Sequence, residues 1–334
     1  MNNLTYISLN CLYFIFCVLL VNTIKKEFYK QTDEKILNIN SKEIFIPADR
    51  DNIDIYIEKL EKLKIKPKFI YMLNKSNLLT NQNKLWDFLR NKYFHNICYL
   101  NNFFLKTYIL SNYHDRRFLE QKIYKKNQKY PLKFILTNQK EKKLITLKSH
   151  YDFFDLVSIY NENNFNLIRE IGDNIFIYQN SVILLENYIL ISKNNGKINM
   201  YMNIFKQFLL LNLSTNKIVR NKNIDILFNK AIFEKQFEKI NLEIQEKMEF
   251  ILKSIKDIFE NDKILNECSA FEIFGIRFMI DKEFNVYIFD ISRKINLLDK
   301  DVISIYSRLI FETYSFIRGE MSIETTNFIP ILNN

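Results

Sequence analysis

Apolar and polar positions alternate with different periods along the chain, and the changes of period divide it into elements. Glu43 to Ala48 (Glu-Ile-Phe-Ile-Pro-Ala) reads as a short strand, and Asp54 to Ile65 sets Ile57, Leu60 and Leu63 at near-helical spacing. A strand at Lys68 to Leu73 completes a strand-helix-strand unit, so a small α/β subdomain is expected near the N-terminus. Trp86 to Phe104 is mixed and aromatic, a helix followed by a loop. Thr107 to Ser111 then leads into a polar helix from Asp115 to Lys126.

From Pro131 the period becomes that of strands. Lys133 to Thr137 and Leu144 to Lys148 flank a charged turn, followed by Asn174 to Tyr178, Ser181 to Leu185 and a long run from Lys197 to Leu213. The turn Lys193-Asn194-Asn195-Gly196 precedes that run, and Asn-Gly between apolar stretches is a hairpin signal. Ala231 to Glu260 spaces apolar residues helically among Glu and Lys, as one long amphipathic helix or two. Ala270 to Ile280 and Asn285 to Ile291 form another hairpin about Asp281-Lys282-Glu283, and Val302 to Ile317 is a closing helix. No repeat or Ser/Gly linker separates these parts, so they are expected to pack together.

Composition adds bounds rather than a function. With 334 residues, 48% hydrophobic and 26% charged, the chain falls in the globular class and can build a large core. The bias toward Asn, Lys, Ile, Phe and Tyr is what an AT-rich genome imposes on tolerant positions. A net charge of +10 suits an anionic partner. Its lysines are dispersed, however, and no run combines them with a nucleic-acid motif, so nucleic acid is not expected. The four cysteines, Cys11, Cys17, Cys98 and Cys268, exclude a stapled scaffold, and neither they nor His95, His114 and His150 stand at zinc-ligand spacing.

Met1 to Thr23 contains an unbroken apolar run from Cys11 to Val21, followed by Lys25 and Lys26. That length suits a signal-peptide core better than a span of ~20 residues. The absence of positive charge before it also fits a signal anchor, and a buried N-terminal element is the third possibility. The expected location is therefore the secretory pathway or a membrane tether, with a cytoplasmic protein as the alternative.

Cys268 to Leu297 holds one of only four glycines in the chain. Phe271-Glu272-x-Phe274-Gly275-x-Arg277-Phe278-Met279-Ile280-Asp281, followed by Ile288-Phe289-Asp290-Ile291-Ser292, resembles the closing hairpin of tubulin-tyrosine-ligase-like proteins, an ATP-grasp family. Fainter matches precede it in the family's order: Thr107-Tyr108-Ile109-Leu110, the hinge-like Leu184-Leu185-Glu186-Asn187-Tyr188-Ile189, and Gly196 to Tyr201. The resemblance spans roughly Glu43 to Ile317. It implies an α+β, ATP-grasp-like fold with mixed or antiparallel sheets flanked by helices. The 40–130 region would be an N-terminal and linking subdomain, and 131–320 a degenerate ATP-grasp domain. Gly275 is expected where a neighbouring backbone approaches closely.

The same resemblance implies ATP and Mg²⁺ as cofactors and the joining of an amino acid to a protein carboxylate, and it permits each requirement to be checked. Glu186 and Tyr188 (hinge) and Lys197 (strand) fall at nucleotide-binding positions, and Asp290 and Ser292 at metal-binding ones. Arg277 replaces the metal-binding aspartate, where a guanidinium repels Mg²⁺ or pairs with Asp290. The family's strand aspartate and arginine fall on Asn199 and Tyr201. Its phosphate-loop lysine falls on Thr137, in a turn without glycine whose lysines, including Lys140, Lys142 and Lys143, read as a solvated charged turn. Glu272 and Asp281 remain as spare carboxylates, Glu272 on the face opposite Arg277.

Three functions stay open. The first is a pseudo-ligase that serves as a binding scaffold, with ATP and Mg²⁺ binding weak or lost. The second is an active ligase adding tyrosine or glutamate to tubulin or a similar acidic tail, and the third a secreted or membrane-tethered interaction protein.

Overall fold

A computed structural model describes residues 73–125 except 74, 131–138, 142–162, 167–178, 181–194, 197–212, 236–260 and 269–293. Short stretches at 44–45, 69–70, 215, 218–220, 309, 312–313, 315–317, 319–323 and 326–332 are also described. The apolar leader, the helix expected over 54–65, the Asn195-Gly196 turn, the loop at 139–141 and most of the closing helix lie outside these residues.

The architecture is α+β, with two sheets and helices. Strands β1 (Ile44–Phe45) and β2 (Phe69–Ile70) run parallel, so the chain between them makes a crossover connection. Rather than forming a sheet of their own, they extend the large one. Helix α1 (Gln82–Lys92) follows, capped by the Asn81 side chain, which accepts from the N–H groups of Asn83 and Lys84. Next come β3 (Thr107–Tyr108) and helix α2 (Tyr113–Ile123). The smaller sheet, in order β3-β6-β4-β5, adds β4 (Leu132–Thr137), β5 (Lys142–Leu147) and β6 (Leu167–Ile171), with helix α3 (Asp152–Glu162) between the last two.

The nine-stranded sheet is built around long antiparallel strands. After the short β7 (Ile177–Tyr178), β8 (Ser181–Asn194) and β9 (Lys197–Asn212) pair over almost their whole length. Beyond them lie β10 (Ile218–Arg220) and, after helix α4 (Phe237–Glu260), the hairpin β11 (Ser269–Ile280) and β12 (Val286–Ser292). Strand β13 (Phe328–Leu332) closes on β9. β11 is the central member, pairing with β8, β12 and β2.

Side-chain alternation sorts the layers. On β11, Phe274, Ile276, Phe278 and Ile280 enter one core with Ile183, Ile189 and Ile191 of β8, covered by α4 and α1. Helix α4 is a single helix, and buries Ile240, Ile244, Met248, Ile251, Ile255 and Phe259 at spacings of three and four, the stripe its sequence shows. On the other face of the sheet, Met279, Leu184, Leu209 and Phe289 meet Ile135 and Ile171 of the smaller sheet. The smaller sheet turns Phe134, Leu136 and Ile168 outward onto Leu119, Ile123, Phe153 and Leu156 of α2 and α3. The order is thus helices, large sheet, small sheet, helices.

The period of the sequence leaves residues 149 to 173 without an element, yet they form α3 and β6. A local signal is present at Ser149-His150-Tyr151-Asp152: Asp152 Oδ2 accepts from Ser149 N at 3.2 Å and Oδ1 from Ser149 Oγ at 2.9 Å, one half of the reciprocal bonding of a capping box. Gly275 also departs from expectation. The atoms nearest to an added Cβ are side chains, Glu186 Oε1 at 3.6 Å and Tyr188 Cε1 at 3.7 Å, which is ordinary contact and not a backbone approach. A direct consequence is that two neighbouring substitutions should part widely. Phe274→Ala, in the core, is expected to cost about 3 to 5 kcal/mol in urea unfolding. Gly275→Ala should stay within about 1 kcal/mol of wild type.

Candidate functional site

Between the two apolar patches on the inward face of the large sheet runs a polar row one residue deep. Gln207 of β9, Glu186 of β8, Arg277 of β11 and Asp290 of β12 stand directly opposite one another across four strands. Cross-strand neighbours of this kind lie ~5 Å apart at Cβ, close enough for each side chain to reach the next. A bulge helps to set the row. β12 carries one extra residue opposite Arg277 and Phe278, and Phe289 and Asp290 both serve the inward face.

Arg277 is the hinge of the row. Its Nε donates to Glu186 Oε1 at 2.8 Å and its Nη1 to Asp290 Oδ2 at 3.2 Å. Glu186 is fully buried, and its second oxygen accepts from Tyr188 OH at 3.1 Å and from Gln207 Nε2. Gln207 Nε2 also donates to Tyr188 Oη at 2.7 Å. Asp290 Oδ1 accepts from Gln82, at the start of α1, while Oδ2 also accepts from Lys142 of the facing sheet. Every carboxylate oxygen in the row therefore has an internal donor.

The smaller sheet contributes the remaining charge. Alternation on β4, β5 and β6 turns Thr137, Lys142 and Arg169 toward the large sheet, alongside Ile135 and Ile171. Lys142 Nζ also stands 4.5 Å over the Phe289 ring. Buried Arg169 donates from Nη1 to the Phe289 carbonyl, and its guanidinium lies 5.8 Å from the ring. Its Nε, and Thr137 Oγ1, find no hydrogen-bond partner among the described residues. Lys142, Arg169 and Arg277 thus outnumber Glu186 and Asp290 by one charge.

Electrostatics follow from burial and neighbours. Burial is the largest influence on Asp290 and favours its neutral form, but Lys142 and Arg277 outweigh it and hold the carboxyl at about 2. Burial lowers Lys142, with Asp290 opposing, and brings Arg169 down to about 10. Burial also works against the charge of Arg277, but Glu186 and Asp290 raise it.

The structure gathers Glu186, Tyr188, Arg277 and Asp290 in one place. Ser292 stands opposite Gly275, two residues along β12 from Asp290. Lys197 is elsewhere: it opens β9 at the far end from Gln207, roughly 30 Å away along the strand at ~3.3 Å per residue. Tyr201 packs among Tyr188, Leu190, Phe271 and Ile273. Lys142 is no solvated turn residue, because it lies on β5 and is drawn in by Asp290. The spare carboxylates have structural employment. Glu272 accepts from Leu73 N at 3.1 Å and pairs with Arg293 at 2.9 Å. Asp281 organises the β11–β12 turn by accepting from the N–H groups of Glu283 and Asn285.

Arg169, Gln207 and Gln82 were not foreseen. An arginine inside the apolar strand Leu-Ile-Arg-Glu-Ile was the available signal for the first. For Mg²⁺ the donor set does not fit, since the oxygens of Glu186 and Asp290 are taken by Arg277, Lys142, Gln82, Gln207 and Tyr188. Nor does any group of three His, Cys, Asp or Glu side chains suited to a metal ion occur among the described residues. Neither the family models nor the curated proteins compared with this chain give a match.

The depressed carboxyl of Asp290 predicts a pH dependence of definite sign. Its stabilising effect is complete above the unfolded-chain value of ~4 and is lost as pH falls through about 2. Asp290→Asn should lower stability near neutral pH by about 2 to 3 kcal/mol and remove this part of the acid transition, read from urea midpoints between pH 2 and 6.

Proposed function

We propose that this chain is a non-catalytic relative of the tubulin-tyrosine-ligase-like, ATP-grasp proteins, a pseudo-ligase retained as a binding scaffold. The observation that carries the reading is the position of Arg277. It occupies the register position where the resemblance expects a metal-binding aspartate, and it uses oxygens of both Glu186 and Asp290. A Mg²⁺ ion there would have to displace a guanidinium and would find the nearby lysine and arginine charges opposing it. Two sheets packed face to face about a polar row support the ATP-grasp assignment.

In this reading the interface between the sheets keeps an attraction for phosphate without a metal. Lys142 and Arg169 come from the smaller sheet and Arg277 from the larger, so their one-charge excess sits where the sheets meet. Glu186 and Tyr188 hold one another and leave no role for Lys197, which is far along β9. The partner is then a protein, with tubulin or another acidic tail as the candidate the resemblance supplies. The apolar leader directs the scaffold to the secretory pathway or tethers it to a membrane, which a fusion of Met1 to Thr23 to a fluorescent reporter would locate.

Calorimetry with ATP, with and without Mg²⁺, tests the central point. The expected outcome is that Mg²⁺ leaves nucleotide affinity unchanged within about twofold, a difference of ~0.4 kcal/mol. Magnesium-dependent tightening, together with ATP-dependent incorporation of tyrosine or glutamate into an acidic tail peptide, would instead establish an active ligase.

A further inference from the structure

Three Asn-x-Ser/Thr sequences occur in the chain: Asn3-Leu4-Thr5, Asn74-Lys75-Ser76 and Asn212-Leu213-Ser214. Each is a motif for attachment of an oligosaccharide to asparagine, which marks surface loops of chains that enter the secretory pathway. The motif is short and the chain is rich in Asn, so the surroundings must separate an acceptor from a coincidence. The first lies within the apolar leader. The other two have opposite settings.

Around Asn74 the chain is clasped to the large sheet. Leu73 and Ser76 are fully buried. Leu73 N donates to Glu272 at 3.1 Å, and the Ser76 hydroxyl, the third member of the motif, accepts from Arg293 at 2.6 Å. Asn212 is instead the last residue of β9. Leu211 pairs with Ile218 of β10, so 212–217 is the connection of a hairpin. Asn212 is partly exposed and Thr215 exposed. The Asn212 carboxamide oxygen accepts from Thr215 N at 2.9 Å, whereas a bond to sugar forms at the other atom of the amide, Nδ2. Strand β10 ends the order of the large sheet among the described residues, and its Val219 is 43% exposed. An edge of this kind invites pairing with another chain, and a bulky hydrophilic group at its head blocks that approach.

We infer that Asn212 is an N-glycosylation site, an inference that rests on the reading of the leader as a secretory signal. The Asn212 amide nitrogen forms a bond to the anomeric carbon of a lipid-diphosphate-linked oligosaccharide and gives up one proton. The carbon–oxygen bond to the carrier breaks, and the lipid diphosphate leaves with its electron pair. Ser214 supplies the hydroxyl that the motif requires. A glycan on this hairpin sets the body of the protein in the lumen, away from cytosolic tubulin, so the acidic partner of the scaffold is then a luminal or extracellular protein.

The full chain, translated with endoplasmic-reticulum microsomes, provides the test, in an Asn3→Gln/Asn74→Gln background where 212–214 is the remaining motif. The readouts are protection from added protease and a mobility step removed by peptide N-glycosidase. The expected result is a protected chain with one such step, lost in Asn212→Gln and in Ser214→Ala and kept in Ser214→Thr. Attachment occurs on the chain as it enters the lumen, so the readout does not require a variant to fold. A protected chain without the step, or a step that survives Asn212→Gln, overturns the glycosylation site and leaves the leader reading standing. An unprotected chain overturns both.

Discussion

A guanidinium held between two carboxylates on one face of a sheet governs how the two halves of this protein meet. Arg277 alone could not do so, because two buried acids and one buried base leave a surplus of negative charge in a medium that does not tolerate it. Lys142 and Arg169 reverse that surplus, and they come from the other sheet. The interface is therefore coupled electrostatically, and each sheet completes what the other lacks. Removing one charged partner strands the rest, which is why such clusters are costly to break even where their net contribution to stability is small.

The rest of the fold makes the cluster possible. Long β8 and β9 hold Glu186 opposite Gln207, and β11 sets Arg277 opposite Glu186 in continuous register. A slip of one residue would exchange the polar row for the Phe274 to Ile280 core face, so burial on one face fixes the electrostatics of the other. The bulge at Phe289 is the one irregularity in the β11–β12 pairing, and it sets an aromatic ring under Lys142 and Arg169 beside the carboxylate they approach.

Much of this was legible in the order of residues, and the illegible parts have physical causes. The β11–β12 hairpin, the long run of β9 and the stripe of α4 announce themselves by period alone, because a buried face demands it. The pairing of Arg277 with Asp290 could be anticipated from their hairpin positions. Lys142 and Arg169 could not, since their partners lie over a hundred residues away and on another sheet. Strand β13 holds Pro330, which is tolerated because, among the described residues, this strand pairs with β9 alone. Helix α3 carries its one local signal in Ser149 and Asp152, whose side chains bond just ahead of its first turn.

The central strand of the large sheet is also among the last to be made. β11 begins at Ser269, yet it lies between β8 and β2, which are synthesised far earlier. Until it emerges from the ribosome, β8 presents a long apolar edge with no neighbour on that side, and the acid at position 186 waits without its base. Such a topology postpones the longest pairing of β8 on that side until late in synthesis, and it ties completion of the core to arrival of the charge that joins the two sheets.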